Sequence, residues 1–185
     1  MPKKLLEPQT MLFPLPAVMV SSQRKGERPN IITLAWVGVV CSEPPLVGIS
    51  IRKNRFSFDI IKESKEFVIN VPRGGLLKAT DWCGTTSGKD VDKFVECALT
   101  PIKGSKVNAP LIEECPVNLE CAVRQILDLG SHCLFIGEIV ATQVDSDYLN
   151  EKEEPDVGKM CLFCYCPKAH EYRAVSEVLA EYGSA

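Results

Sequence analysis

A pair of adjacent prolines between two β-branched segments most constrains what this chain can fold into. Residues 30–41 and 46–51 are rich in Ile and Val, which predicts two β-strands. Pro44 and Pro45 lie between them. Because proline fixes φ and lacks an N–H donor, neither residue can pair inside a sheet. The sequence therefore predicts a strand, a turn and a second strand.

The second of these strands leads into a group of positive charges at Arg52, Lys53 and Arg55. Clustered cations after a strand and before a helix start suit an anionic ligand. Charge runs are also usual on solvent-exposed surfaces, so a core hairpin with a solvated basic end is the alternative. This stretch alone leaves both interpretations open.

Length and composition indicate one globular domain. The chain has 185 residues, of which 45% are hydrophobic and 24% charged, so we expect a single domain over residues 1–185. The net charge of −3 lacks the excess of positive charge that is typical of nucleic-acid-binding proteins. Without a signal-peptide core or a bilayer-length apolar run, we expect no membrane contact and a cytoplasmic protein. Its 9 cysteines should then be reduced and mostly buried.

The order of the predicted elements favours a mainly β fold with peripheral helices. Several short strands with few helices indicate a β-barrel, and no G-x-G-x-x-G motif supports a parallel doubly wound sheet. A tight turn at Gly130 predicts that the strands on either side of it pair antiparallel. The elements are an extended N-terminal arm (1–12), strands (17–21, 67–71, 117–126, 132–144, 160–166) and helices (56–64, 76–83, 93–98, and a C-terminal helix within 170–185).

A polar segment over residues 83–94 is a second candidate for anion binding. Gly84 and Gly88 would let backbone N–H groups approach an anion, and Lys89 adds a positive charge. The segment does not match the P-loop pattern, because Asp90 follows Lys89 where that pattern requires Ser or Thr. A capped helix start, with Asp90 as the N-cap, is the equally weighted alternative.

His132 is a candidate site residue, whereas a cluster of cysteines near the C-terminus is not expected to bind a metal. His132 begins a long predicted strand after a tight turn, so its ring could face a cleft, although a structural role is the alternative. Cys161, Cys164, Cys166 and His170 lie close in sequence. Alternation along a strand would place the first two cysteines on opposite faces, so we expect no metal. No hydrolytic constellation is present in the sequence.

Six segments, taken in order, resemble the flavin reductase-like FMN-binding split-barrel family and its flavoredoxin-type members. They are P-L-P-A-V-M-V-S-S (14–22), N-x-x-T-x-A-W (30–36), S-E-P-P-L-V (42–47), I-K-E-S-K-E-F-V-I-N-V-P (61–72), C-G-T-T-S-G-K-D-V-D-K-F (83–94) and G-S-H-C-L-F-I-G-E-I (130–139). The resemblance implies a six-stranded Greek-key split β-barrel, usually a homodimer with FMN near the dimer interface. It also implies reversible flavin reduction, with electrons from NADH, NADPH or a redox protein.

The same resemblance implies a set of site residues. The run that ends at Trp36 would line the flavin ring, a second group would hold the phosphate, a glycine-containing segment would close over the flavin, and His132 would lie beside flavin and nicotinamide. These are Asn30, Thr33, Leu34, Ala35 and Trp36; Ser50, Arg52, Lys53 and Ser57; Cys83, Gly84, Ser87, Gly88 and Lys89; His132; and Tyr165. Ser131 stands where the family often has Asp, and this departure from the family pattern concerns nicotinamide use more than flavin binding.

Three functions are consistent with this reading of the sequence. The first is an NAD(P)H-dependent FMN reductase. The second is an FMN-binding electron carrier that another protein reduces. The third is a non-redox interaction module on the same barrel.

Overall fold

The structure is a computed structural model that describes residues 1–184, and it consists mainly of short strands. The strands are β1 (Leu15–Pro16), β2 (Val18–Ser22), β3 (Asn30–Leu34), β4 (Val37–Cys41), β5 (Leu46–Arg52), β6 (Glu66–Val71), β7 (Pro101–Ile102), β8 (Leu111–Ile112), β9 (Val117–Asp128), β10 (His132–Val144), β11 (Phe163–Cys166) and β12 (Glu171–Ala174). The helices are α1 (Phe56–Ser64), α2 (Leu77–Thr85), α3 (Lys93–Glu96) and α4 (Val157–Met160), with 3₁₀ turns at Gly74–Leu76 and Ser146–Tyr148.

Seven of these strands form one antiparallel sheet in the order β3-β2-β6-β9-β10-β5-β4. This confirms the predicted mainly β split-barrel fold, with seven strands in the sheet where six were predicted. The predicted antiparallel pairing of β9 with β10 is also confirmed. The turn that contains Pro44 and Pro45 joins β4 to β5, as the sequence predicts.

Two residues connect the opposite edges of this sheet and force it to curl. β3 and β4 are the two edge strands, yet only Ala35 and Trp36 separate them in the chain. A residue spans at most about 3.6 Å, so the end of β3 and the start of β4 must lie close together, and the sheet curls into a barrel. The backbone N–H of Ser50 in β5 donates to the carbonyl of Trp36 at 2.9 Å, which extends the pairing of β4 with β5 into this junction, the seam of the barrel. The single strand predicted over residues 30–41 is therefore wrong, because the chain passes from one edge to the other at residues 35–36.

The barrel interior is filled by apolar side chains from neighbouring strands. Ile49 and Ile51 of β5, Phe67 of β6 and Phe135 of β10 are fully buried. Gly137 makes room for one of these rings, since a Cβ there would lie 2.6 Å from Cζ of Phe67. Burying side chains of this size stabilises the fold by about 1.5–3 kcal/mol each.

The helices lie outside the sheet and begin and end for local reasons. α1 buries Phe58, Ile60 and Ile61, and no side chain caps its first turn. Asp92 caps α3 by accepting hydrogen bonds from the N–H groups of Phe94 and Val95, at 3.1 and 3.3 Å. The prediction of Asp90 as this N-cap is wrong, because the helix begins at residue 93. Within residues 1–184, no helix has the length and apolar character needed to cross a membrane.

The C-terminal segment differs most from prediction. The helix predicted over 170–185 is wrong: β12 pairs with β11, and β11 pairs with β1, to form a small three-stranded sheet that we call the C-terminal sheet. Position 185 is outside the described residues. Val178 and Leu179, which suggested an apolar helix face, are 88% and 92% exposed. Tyr172 is held instead by tertiary contacts with Phe163, Tyr165 and Asp81.

Candidate functional site

A cavity of about 430 Å³ lies beside the seam of the barrel, between the barrel edge, α2 and the C-terminal sheet. We call it the main cavity. Its volume is within the range of about 300–1,000 Å³ usual for small-molecule sites. The barrel contributes Ala17, Ile32, Thr33, Leu34, Ala35, Trp36, Ser50, Arg52 and His132, and the facing elements contribute Arg55, Asp81, Gly84, Thr85, Tyr165, His170 and Tyr172.

The barrel wall of the main cavity presents two flat rings and a cation. The rings of Trp36 and His132 are nearly parallel, with centroids 6.4 Å apart and planes 12° apart. Arg52 pairs with His132 across β5 and β10. Burial, and then the charge of Arg52, lowers the pKa of His132 below its ordinary value, which favours the neutral imidazole. The hydroxyl of Ser131 lies 2.8 Å from Nδ1 of His132 and steadies the ring.

The opposite wall is polar and comes from α2 and the C-terminal sheet. The phenol of Tyr172 donates to Oδ1 of Asp81 at 3.0 Å. Burial, followed by this hydrogen bond and the charge of Asp81, raises the pKa of Tyr172 far above its ordinary value. The phenol oxygen of Tyr165 lies 3.3 Å from Nδ1 of His170. This wall can therefore offer hydrogen-bond groups to the edge of a planar ligand.

A smaller cavity of about 90 Å³ adjoins the first at the N-terminus of α1, and we call it the second cavity. The two share Ile32, Arg55 and Gly84 in their linings. The first N–H groups of α1 have no side-chain cap, and the helix dipole favours negative charge there. Its other lining residues are Asn30, Asn54, Phe56, Ser57, Cys83, Thr86, Ser87, Gly88 and Lys93. The second cavity therefore suits a phosphate group.

Close packing holds the wall of the second cavity in place. Nδ2 of Asn30 donates to Oγ of Ser57 at 2.7 Å, and both side chains are buried. A Cβ on Gly88 would lie 1.7 Å from Oδ1 of Asn30, so only glycine fits there without a shift. Nζ of Lys93 donates to the carbonyls of Ile31 and Cys83, at 2.8 and 2.7 Å. Burial lowers the pKa of Lys93 to about 8, so most of this buried amine is still charged at pH 7.

The two cavities gather most of the residues proposed from sequence. Thr33, Leu34, Ala35, Trp36, Ser50, Arg52, Gly84, His132 and Tyr165 line the main cavity, and Asn30, Ser57, Cys83, Gly84, Ser87 and Gly88 line the second. Lys53 and Lys89 line neither one. Nζ of Lys53 instead pairs with Asp128 at 2.6 Å. Ser50 and Arg52, which the resemblance assigns to the phosphate, line the main cavity and not the second. Their phosphate-binding role, that of Lys53 and the role of Lys89 stay predictions.

Sequence reasoning missed several cavity residues. Arg55 belonged to the cationic group proposed for an anionic ligand but was not among the site residues that the resemblance implies; its position directly before the start of α1 was the available signal. Tyr172 and Asp81 had no signal, because they meet only through the C-terminal sheet. His170 was considered only for a metal. Among residues 1–184, no group of three or more His, Cys, Asp or Glu side chains is placed to hold a metal ion.

Fold and site together define a split-barrel protein with adjoining places for a planar ring and for a phosphate. The family model described as "Flavin reductase like domain" matches residues 10–166. The chain belongs to this family.

Three solved structures illustrate the likeness. Flavoredoxin of Desulfovibrio vulgaris (Miyazaki F) is 36% identical, with a TM-score of 0.93 over 99% of this chain and 98% of that one. Flavoredoxin from Methanosarcina acetivorans is 30% identical, with a TM-score of 0.88 over 97% and 96%. An FMN-binding protein from Thermus thermophilus is 25% identical, with a TM-score of 0.82 over 97% of each chain. Family and neighbours support a flavin-related redox function, with FMN as the flavin.

Proposed function

We propose that the protein is an FMN-binding oxidoreductase of flavin reductase or flavoredoxin type. In this role it transfers electrons between FMN and either NADH, NADPH or a redox protein. One observation carries the proposal: a ring-sized cavity and an uncapped helix N-terminus adjoin each other through shared residues. A flavin mononucleotide needs both features at this kind of spacing, a slot for its ring and a positive environment for its phosphate.

The residues present fit such a ligand. Residues 33–36 would line one side of the flavin ring, and the wall with Asp81 and Tyr172 would face it. Arg55, the first N–H groups of α1 and the hydroxyl of Ser87 would hold the phosphate. Bound FMN would supply reversible electron transfer, which is chemistry of the cofactor itself. The protein's own contribution is to bind, orient and shield it from water.

A nicotinamide donor has a suitable neighbour in His132. The His132 ring is flat and lines the main cavity, and its lowered pKa favours the neutral form. A neutral imidazole can pack against a nicotinamide ring without repelling the positive charge that forms when the nicotinamide loses a hydride. This supports His132 as the residue that positions the donor.

The purified protein's absorbance spectrum tests the proposal most directly. We expect a flavin spectrum, or FMN binding on titration, and bleaching when NADH or NADPH is added without oxygen. If FMN binds but neither nicotinamide bleaches it, while a reduced redox protein such as a ferredoxin does, the protein is an electron carrier. If the protein shows no affinity for FMN, the proposal fails and the non-redox interaction module is favoured.

We also propose a homodimer. Trp36, Val39 and Val40 are large apolar residues with 42%, 74% and 53% of their surface exposed. Val39 and Val40 lie on the edge strand β4, next to an apolar groove of about 400 Å³ that shares Trp36 with the main cavity. A patch of this kind usually marks an interface. Light scattering should give twice the chain mass, and Val39→Glu with Val40→Glu should reduce it to the chain mass; an unchanged mass would contradict the proposal.

A further inference from the structure

Two cysteine side chains meet next to the second cavity. All 9 cysteines of the protein are free thiols, yet the Sγ atoms of Cys83 and Cys97 lie 3.8 Å apart. Cys83 belongs to the last turn of α2, and Cys97 directly follows α3. A disulfide needs an S–S distance of about 2.05 Å, so a movement of under about 2 Å would join the sulfurs.

The two thiols differ in their access to solvent. Cys83 is fully buried among Met19, Ile31 and Phe94, whereas Cys97 is only partly buried. A small oxidant can therefore reach Cys97 first, and Cys83 lies in position to react with the oxidised sulfur. Burial raises the pKa of both thiols, that of Cys83 to about 12, so both are protonated at pH 7 and the attack on a peroxide runs through the small fraction of Cys97 that has lost its proton.

The buried thiol is also part of the wall of the second cavity. Cys83 lines it beside Gly84, and its carbonyl accepts the hydrogen bond from Nζ of Lys93 at 2.7 Å. Lys93 is the first residue of α3, and the carbonyl of Lys93 accepts a hydrogen bond from the N–H of Cys97 at 3.2 Å. α2, α3 and the lining of this 90 Å³ cavity are thus joined through a few contacts. A movement of Cys83 toward Cys97 would displace one side of that lining.

We propose that Cys83 and Cys97 are a redox-active thiol pair that a hydroperoxide converts into an intramolecular disulfide, and that this bond weakens phosphate binding in the second cavity. The sulfur of Cys97 attacks a peroxide oxygen, the O–O bond breaks, and one water leaves with a sulfenic acid remaining on Cys97. The sulfur of Cys83 then attacks Cys97, the S–O bond breaks, and a second water leaves. Two thiols lose two electrons in total, and one hydrogen peroxide becomes two waters.

Peptide mapping tests the bond without any flavin. Lys89 and Lys93 lie between the two cysteines, so trypsin releases them on separate peptides, residues 79–89 and 94–103. After native protein is treated with hydrogen peroxide and the remaining thiols are alkylated, we expect these peptides linked and lighter by two hydrogen atoms. Cys97→Ser should abolish the linked peptide. Cys115→Ser, a matched change of a buried thiol in the same apolar cluster, should leave it unchanged.

The effect on ligand binding rests on the proposed function and is measured separately. We expect the disulfide form to bind FMN about tenfold more weakly than the reduced form, which corresponds to the loss of one hydrogen bond to phosphate. Riboflavin, which lacks the phosphate, should bind both forms equally. Dithiothreitol should restore FMN binding to the wild type, and Cys97→Ser should bind FMN equally before and after peroxide.

Each failure has a distinct meaning. Native protein that yields no linked peptide overturns the thiol pair. A linked protein that binds FMN as tightly as the reduced one overturns the effect on the phosphate. If the linked peptide forms but neither form binds FMN or riboflavin, the thiol pair stands and the proposed function fails.

Discussion

Replacing Gly88 with alanine tests the packing that shapes the second cavity. The added Cβ would lie 1.7 Å from Oδ1 of Asn30 and 2.6 Å from its Cγ. The first distance is less than half of the roughly 3.5–4.0 Å at which non-bonded atoms pack. Asn30 is 3% exposed and donates to Oγ of Ser57 at 2.7 Å, so it cannot move without losing that buried hydrogen bond.

The expected cost of Gly88→Ala combines two effects. Overpacking a well-filled site costs about 1–3 kcal/mol, and leaving a buried polar group unpaired costs about 1–3 kcal/mol. We therefore expect the free energy of unfolding to fall by about 2–6 kcal/mol, a large part of the roughly 5–15 kcal/mol that stabilises a domain. Urea unfolding followed by tryptophan fluorescence measures this change. FMN affinity should fall as well, because Asn30, Ser57 and Gly88 all line the second cavity.

Two further variants make this test decisive. Gly38→Ala is the matched control, since a Cβ at Gly38 meets no atom within 4 Å, and its stability should change by less than about 1 kcal/mol. In an Asn30→Ala background the clash is removed, so Gly88→Ala should cost at least about 1 kcal/mol less than it does in the wild type. If Gly88→Ala costs no more than Gly38→Ala, the close contact with Asn30 does not shape this site.

Three more predictions address the cavities and the core. Arg55→Ala should weaken FMN binding about tenfold to a hundredfold but leave riboflavin binding unchanged. Lys53→Ala should weaken FMN binding less than Arg55→Ala, because Lys53 pairs with Asp128. Fluorescence titration with both flavins measures these changes. His132→Ala should slow anaerobic reduction by NADH or NADPH about tenfold or more with a smaller change in FMN affinity, which stopped-flow absorbance can measure, and an equal loss in both would argue against a positioning role. Burial opposes ionisation of Glu120, but hydrogen bonds from Ser105, Lys106 and Gln143 outweigh it and lower its pKa to about 2. The ionised carboxylate of Glu120 therefore stabilises the fold fully above about pH 4.5, and this stabilisation is lost as the pH falls through about 2. In urea titrations at several pH values, Glu120→Gln should remove this part of the acid sensitivity. An unchanged pH profile would contradict the assignment.

The fold was largely predictable because its main signals are local. Alternation and β-branched residues marked the long strands β9 and β10, and Gly130 marked their tight turn. The division of residues 30–41 at the seam was not visible, since Ala35 and Trp36 continue the apolar run. The prediction of a C-terminal helix was wrong for a related reason. Its apolar spacing was helical, but an isolated short helix is only marginally stable in water. The strand conformation instead lets Tyr172 form tertiary contacts with Asp81 and Phe163.

The complete set of site residues was predictable only from the resemblance. Physical reasoning from the residues gave a cationic group after β5 and a polar glycine segment, each with a structural alternative. The structure brings these two together, since Arg55 and Gly88 line the same small cavity. The polar wall with Asp81 and Tyr172 could not be predicted, because these residues are 91 positions apart and meet only in the folded chain.

The packing of the barrel and the chemistry of its site depend on the same strand register. In β5, Ile49 and Ile51 are buried in the barrel, while Ser50 and Arg52 alternate with them and line the main cavity. Because strand side chains alternate between faces, a shift of β5 by one residue would exchange the two sets. Such a shift would bury Arg52 without a partner, at a cost of several kcal/mol, and would fill the cavity with isoleucine. The apolar core therefore also selects which groups face the main cavity.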